Sequence, residues 1–218
     1  MSLAIFDLDN TLIAGDSDHS WGEFLVEHNK VDASAYRQRN DDFFRAYQRG
    51  DLDILEYLRF AVVPLTQFES DELYALQRQF VREKVEPMRL NKAEQLLARH
   101  RAQGDVLIII TATNRFITEP IANLLGIDYL LATELSMENN RYTGDILGEP
   151  CYQRGKVSHL NTWLRQYSHT LDGSYFYTDS INDLALLEVV DNPIAVDPDP
   201  RLREVAHRRQ WPVISLRE

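Results

Sequence analysis

The sequence is poor in several features. It has one cysteine, Cys151, in 218 residues, so no internal disulfide framework can hold it together. Its 23 basic residues are outnumbered by 34 acidic ones, for a formal net charge of -11. No lysine and arginine cluster is long enough for a nucleic-acid footprint. The acidic excess favours solubility, disfavours polyanionic partners, and requires local positive groups to capture any anionic substrate. No apolar stretch is long enough to span a bilayer. No charged-then-apolar leader precedes the first apolar run, so the expected compartment is the cytoplasm. Internal repeats and low-complexity tracts are also missing. What is present is a 44% hydrophobic fraction, enough for a real core. The length suits one domain, or one domain carrying a substantial insertion.

Two textures alternate along the chain. From Asp16 to Glu86 the apolar residues recur at helical spacing: Trp21, Phe24, Leu25 and His28, then Leu55, Leu58 and Val62, then Leu73, Leu76 and Phe80. From Pro87 onward helices and strands alternate. Val106 to Ile110 is a continuous apolar run, as in a strand covered on both faces. Ser174 to Tyr177 and Ile194 to Val196 read as two further strands, and Val157 to Tyr167 as a helix. Gly126 follows Ile121 to Leu125 as a helix-ending residue. Tyr142-Thr143-Gly144-Asp145 reads as a turn or small hairpin. The predicted fold is α/β: a doubly wound parallel sheet formed by 1–15 and 87–218, with an all-helical cap, 16–86, inserted after the first strand. A cap there would hang over the carboxyl end of that strand. Its many Trp and Tyr residues are expected to be core.

Four segments carry chemistry. In Leu3-Ala4-Ile5-Phe6-Asp7-Leu8-Asp9-Asn10-Thr11 two aspartates follow an apolar strand two positions apart. Strand side chains alternate, so both carboxylates share a face at the sheet edge where α/β proteins bind ligands. Two like charges held close resist joint ionisation, which divides the roles of nucleophile and acid/base between them. Alone, the segment also fits an Asp/Asn-rich turn. Thr111 ends the second strand and offers a hydroxyl and free N–H groups to a phosphate oxygen; Thr113 or Asn114 would equally serve as a helix N-cap. Lys156 lies at the start of a helix, where a cation opposes the macrodipole; the plain alternative is a surface lysine. Asp179 again follows an apolar strand, in Thr178-Asp179-Ser180-Ile181-Asn182-Asp183. Ser180 and Asp183 could form a capping box, which leaves Asp179 unexplained. Several carboxylates in one place call for a shared hard cation such as Mg²⁺.

With these four elements in order, the chain resembles the haloacid dehalogenase superfamily. Within it, the chain is similar to the phosphoserine phosphatase branch, through Gly50 and Arg59, Thr143-Gly144-Asp145 and the Asn182-Asp183 pair. A subgroup often assigned as histidinol-phosphate phosphatases shares Ala14-Gly15-Asp16-Ser17, Pro150-Cys151 and Asp197-Pro198-Asp199-Pro200-Arg201-Leu202-Arg203. The resemblance implies an Mg²⁺-dependent phosphomonoester hydrolase acting on a small phosphorylated metabolite, L-histidinol phosphate first and L-phosphoserine second. A phosphotransferase or phosphomutase on the same scaffold is the next reading. A non-catalytic phosphoacceptor module is disfavoured, because it has little need of Asp9. It further implies that Asp7 is the nucleophile and Asp9 the acid/base. Asp7, Asp179 and the Asp9 carbonyl would hold the metal, and Thr111, Lys156 and Asn182 the phosphoryl group. Asp183 would hold Lys156 or a metal-bound water. Asp16 matches the residue that contacts the substrate amine and Arg59 the one that binds its carboxylate; as a helix residue, Arg59 could instead pair with Glu56. Two positions depart from the phosphoserine branch: Thr111-Ala112-Thr113 replaces Ser-Gly-Gly, and Thr178 replaces a glycine before Asp179.

Overall fold

The structure, a computed structural model, describes residues 2–217. Its strands are β1 (Leu3–Phe6), β2 (Val106–Asn114), β3 (Tyr129–Thr133), β4 (Leu135–Glu138), β5 (Arg141–Ile146), β6 (Tyr175–Thr178), β7 (Asn192–Val196) and β8 (Val213–Ile214). Six of them form one sheet in the order β3-β2-β1-β6-β7-β8, and every neighbouring pair is parallel. The first strand of the chain is therefore central. Ala4, Ile5 and Phe6 pair with Leu107, Ile108 and Ile109 on one side and with Tyr175, Phe176 and Tyr177 on the other.

Side-chain alternation sorts the strand residues between two apolar layers. Ala4, Phe6, Leu107 and Ile109 enter one cluster; Leu3, Ile5, Ile108 and Ile110 enter the other. This is why the β1 and β2 sequences are apolar without interruption. The first layer is covered by α1 (Ser17–Glu27), α4 (Ser70–Phe80), α5 (Asn91–Gln103) and α6 (Arg115–Leu124). The second is covered by α7 (Arg154–Tyr167), α8 (Leu184–Leu187) and α9 (Pro200–Arg209). The doubly wound sheet is as the sequence predicts.

The helical segment after β1 contains α1, α2 (Ala33–Arg49), α3 (Ile54–Val62) and α4. Asp16, Asp32 and Asp53 cap α1, α2 and α3, each through its carboxylate. Gly50, in the left-handed region at φ 77°, ends α2. The segment does not pack as one body. Trp21 and Phe24 of α1 and Leu73 and Phe80 of α4 join the cluster that holds Phe6 and Ile109. In α2 the one fully buried residue is Asn40, and its inner face turns to the cavity described below.

The structure decides between two pairs of local alternatives. Tyr142 to Asp145 are not the turn but part of β5, which pairs antiparallel with β4. The reversal falls on Asn139 and Asn140, both at positive φ, 49° and 63°, where asparagine is tolerated. Asn114, rather than Thr113, caps α6, accepting from Ile117 N at 3.2 Å.

Candidate active site

The sheet's carboxyl edge gathers the four segments. Asp7 N donates to Tyr177 O at 2.9 Å, extending the β1–β6 pairing by one residue and seating Asp7 at the strand end. Its side chain is buried. Lys156, only 2% exposed, reaches it from the first turn of α7. Nζ donates to Asp7 Oδ1 at 2.9 Å and to Asp183 Oδ2 at 2.8 Å. The surface-lysine alternative therefore fails. The approach depends on Gly155: a Cβ there would lie 2.1 Å from the Pro150 carbonyl oxygen, so only glycine lets α7 begin so close to the Pro150-Cys151 turn.

Asp183 does not complete a capping box. Its Oδ2 accepts from Thr178 Oγ1 at 2.7 Å as well as from Lys156, while Ser180 alone caps the short helical turn through Asn182 N. Asp179 Oδ1 accepts from Thr11 Oγ1 at 3.2 Å, and Asp179 N donates back to that oxygen at 3.1 Å. Asp9 is held at both oxygens: Ser17 N donates to Oδ1 at 2.6 Å and Thr113 Oγ1 to Oδ2 at 2.8 Å. Thr111 Oγ1 accepts from Thr113 N at 3.2 Å, within the irregular end of β2 where its register with β3 shifts. Asp7, Asp9, Thr111 and Thr113 line one cavity together with Asp16, Asp18, His19, Tyr47 and Tyr57. Asp179 opens into an adjoining cleft, and Phe44 and Tyr47 of α2 line both spaces.

The lid and the core are tied at one edge. Asn182 Nδ2 donates to Tyr47 O at 3.2 Å, and Arg201 Nη1 to Arg49 O at 2.6 Å. Asp199 caps α9 and also accepts from Ile181 N at 2.6 Å. The Asp197–Arg203 segment thus braces the Asp179 loop and holds the end of α2 over it.

Comparison with known proteins agrees with this architecture. The family model described as haloacid dehalogenase-like hydrolase matches residues 4–188. The chain belongs to that family. It is 40% identical over 220 residues to a histidinol-phosphatase of Neisseria meningitidis serogroup C (strain 8013), covering 99% of each chain. A solved structure of a protein of unknown function from Bordetella pertussis Tohama I superposes with a TM-score of 0.93 at 41% identity, over 99% of this chain and 98% of that one. A substrate-bound phosphoserine phosphatase superposes with a TM-score of 0.73 at 18% identity, over 99% and 93% of the two chains, and shares the fold. The enzyme is a phosphomonoester hydrolase.

Electrostatically, this hydrolase concentrates carboxylates in one recess, with Asp7, Asp18 and Asp183 buried and Asp9, Asp16 and Asp179 half-buried. Burial raises the Asp7 carboxyl to about 7, opposed by the Lys156 charge. Burial, then the Asp16 charge, raises Asp9 to about 7 against the bonds from Ser17 and Thr113. Asp179 is raised well above the usual range by burial and by the charges of Asp7 and Asp183. For Lys156, burial acts against the charge but Asp183 and Asp7 outweigh it and raise its pKa. One ammonium thus faces several acids. Uncompensated hard oxygen donors of this kind fit a divalent cation such as Mg²⁺. A different trio, His19, Glu23 and Asp41, has donor atoms within 4.8 Å of one another. It lies between α1 and α2, and its members are engaged otherwise: His19 with Asp41 at 2.9 Å and Glu23 with Arg37 at 3.2 Å.

Arg59 is not brought to the site. It is exposed on the outer side of α3 and lines a separate groove with Tyr36, Phe60 and Val63. Its helix turns the opposite face, with Tyr57, to the cavity. Nor does Glu56 serve it: Glu56 pairs with Arg39 at 3.1 Å. Asp16 does line the cavity, but its Oδ1 also accepts from His19 N at 2.8 Å as the α1 cap. Sequence reasoning misses Thr11, Thr113, Thr178 and Asp18. It also assigns the cap's Trp and Tyr residues to the core, which holds for Trp21 but not for Tyr47 and Tyr57, which line the cavity with Phe43. Their i, i+4 spacing in α2 (Phe43, Tyr47) was the available signal. Among the described residues, no helix is long and apolar enough to cross a membrane.

Proposed function

We propose that this phosphomonoester hydrolase works through an aspartyl-phosphate on Asp7, with Mg²⁺, and that its substrate is L-histidinol phosphate. The observation that carries the substrate is the cavity lining. Asp7, Asp9, Asp16 and Asp18 face the space, and among the described residues no lysine or arginine lines it. Lys156 is already shared by Asp7 and Asp183. In the adjoining cleft Arg217 is paired with Asp197 at 2.9 Å. A substrate ammonium finds partners there, whereas a substrate carboxylate would meet four carboxyl groups and no lysine or arginine. Phosphoserine carries a carboxylate and histidinol phosphate does not. The Neisseria relative, a histidinol-phosphatase by name, supports the same reading.

In the first step an Asp7 carboxylate oxygen attacks phosphorus and the bond from phosphorus to the ester oxygen breaks. Asp9 donates its proton to that oxygen, so the alcohol leaves neutral. Its raised pKa keeps the proton available near neutrality. In the second step Asp9 takes a proton from a water that attacks phosphorus. The bond to Asp7 breaks, and Asp7 and inorganic phosphate are released. Lys156 and Thr111 hold the phosphoryl oxygens, and Asn182 steadies the lid over them. Mg²⁺, held by Asp7, Asp179 and the Asp9 carbonyl, would neutralise phosphoryl charge.

Phosphate release from a panel of metabolite phosphates tests both parts. Histidinol phosphate is expected to be preferred over phosphoserine, and Asp7→Asn to abolish turnover and covalent labelling while keeping the fold. Preference for an amine-free sugar phosphate would overturn the substrate. Substantial activity in purified Asp7→Asn enzyme would overturn the intermediate.

A further inference from the structure

Asp18 has no role in the chemistry described above, yet it is the most isolated charge in the cavity. It sits in the first turn of α1, is 8% exposed, and lines the site. Among the described residues no lysine, arginine or histidine forms an ion pair with it. Tyr57 of α3 lines the same cavity, the Asp18 charge pushes up the Tyr57 and Tyr36 hydroxyls, and Asp9 adds like charge to Asp18. Burial, against the pull of Tyr57, lifts its carboxyl to about 7. A buried carboxylate without a cation is costly to the fold, and nothing in the architecture requires one here, because Asp16 already caps α1.

Asp7, Asp9, Asp16 and Asp18 line one cavity. Ser17 N, between the last two, donates to Asp9 Oδ1 at 2.6 Å, and Tyr57 of α3 lines the same space from the cap. Flat rings line the same cavity as Asp18. Phe43 meets Tyr57 edge-on with centroids 5.3 Å apart, and Phe44 lies 4.8 Å from the His19 ring. Aromatic walls beside a buried carboxylate suit a planar group that also donates a hydrogen bond.

We propose that Asp18, oriented by Tyr57, is the residue that selects the substrate's far end, a planar nitrogen heterocycle presenting an N–H to the carboxylate. This rests on the amino-alcohol phosphate reading above. The phosphate lies at Asp7, the ammonium at Asp16, and the ring N–H at Asp18. Asp18 reads the group that separates a ring-bearing amino-alcohol phosphate from a bare one.

The test compares kcat/KM for L-histidinol phosphate and for O-phosphoethanolamine, which has the ammonium and no ring, in wild type, Asp18→Asn and Tyr57→Phe. The wild type is expected to prefer the ring-bearing ester. In Asp18→Asn the ratio of the two values should fall roughly tenfold, carried by KM, as for loss of a hydrogen bond to a charged group. Tyr57→Phe should lower the ratio less, in the same direction. Inhibition by free L-histidinol, measured on phosphoethanolamine turnover, should weaken in Asp18→Asn. Melting temperature shows that each variant folds, and if Asp18→Asn does not fold, Tyr57→Phe decides. A wild-type preference that survives both substitutions overturns the assignment of Asp18 and leaves the substrate reading standing. A wild type with no preference for the ring overturns the substrate reading and the assignment with it.

Discussion

Thr113 Oγ1 lies 2.8 Å from Asp9 Oδ2, and its own N–H lies 3.2 Å from Thr111 Oγ1. One residue of the second motif therefore aims the carboxyl proposed as the acid/base and shapes the end of β2 proposed to hold the phosphoryl group. Thr178 has the parallel relation to Asp183, at 2.7 Å. Both are positions where the chain departs from the phosphoserine phosphatase pattern, and both add a hydroxyl donor to an active-site carboxylate.

Thr113→Val keeps the branched shape and removes the donor. We expect kcat/KM on an alkyl phosphate to fall about tenfold, corresponding to roughly 1.5 kcal/mol for a hydrogen bond to a charged group. An aryl phosphate, whose leaving group needs less proton donation, should lose less. Equal losses on both substrates in single-turnover formation of the intermediate would remove Thr113 from the positioning of Asp9.

Lys156→Met removes the cation between Asp7 and Asp183. Turnover should vanish. Stability should drop by about 3–5 kcal/mol, because two buried carboxylates are left facing each other. Denaturant midpoints measured at pH 8 and pH 5.5 check the cause. The loss should be smaller at pH 5.5, where Asp7 takes up a proton. A loss that is the same at both pH values would point to packing rather than charge.

Metal and proton should compete in stability. Asp7 is raised from 3.8 to about 7, and Asp179 is raised as well. Between those values the native state holds more protons than the unfolded chain, so stability of the metal-free protein should fall as pH rises from about 4 to about 7. Mg²⁺ bound at the proposed site would stabilise through the ionised carboxylates, by about 2.7 kcal/mol at a hundredfold excess over Kd. The rise in melting temperature with Mg²⁺ should therefore be larger at pH 8 than at pH 5.5. Chelator should stop turnover and Mg²⁺ restore it, with Ca²⁺ supporting little because its coordination is larger and looser. A melting temperature indifferent to Mg²⁺ at pH 8 would count against the metal site.

The sequence by itself determined what depends on periodicity and chain order. The uninterrupted apolar run of β1 and β2 specifies strands buried on both faces. The β/α alternation specifies a doubly wound sheet, and so brings Asp7, Thr111, Lys156 and Asp179 to one edge. Tertiary structure decided what depends on how helices rotate and dock. Arg59 and Tyr57 are two positions apart in α3, about 200° around a helix, and the packing of α3 alone chooses Tyr57 for the cavity and Arg59 for solvent. Asp183 satisfied a capping pattern on paper, but the buried Lys156 ammonium and the Thr178 hydroxyl, 27 and 5 residues away, claimed its carboxylate instead. The unpaired state of Asp18 is equally invisible in sequence. Local spacing fixes which residues share a face, but whether a buried charge meets a counter-charge depends on every element packed around it.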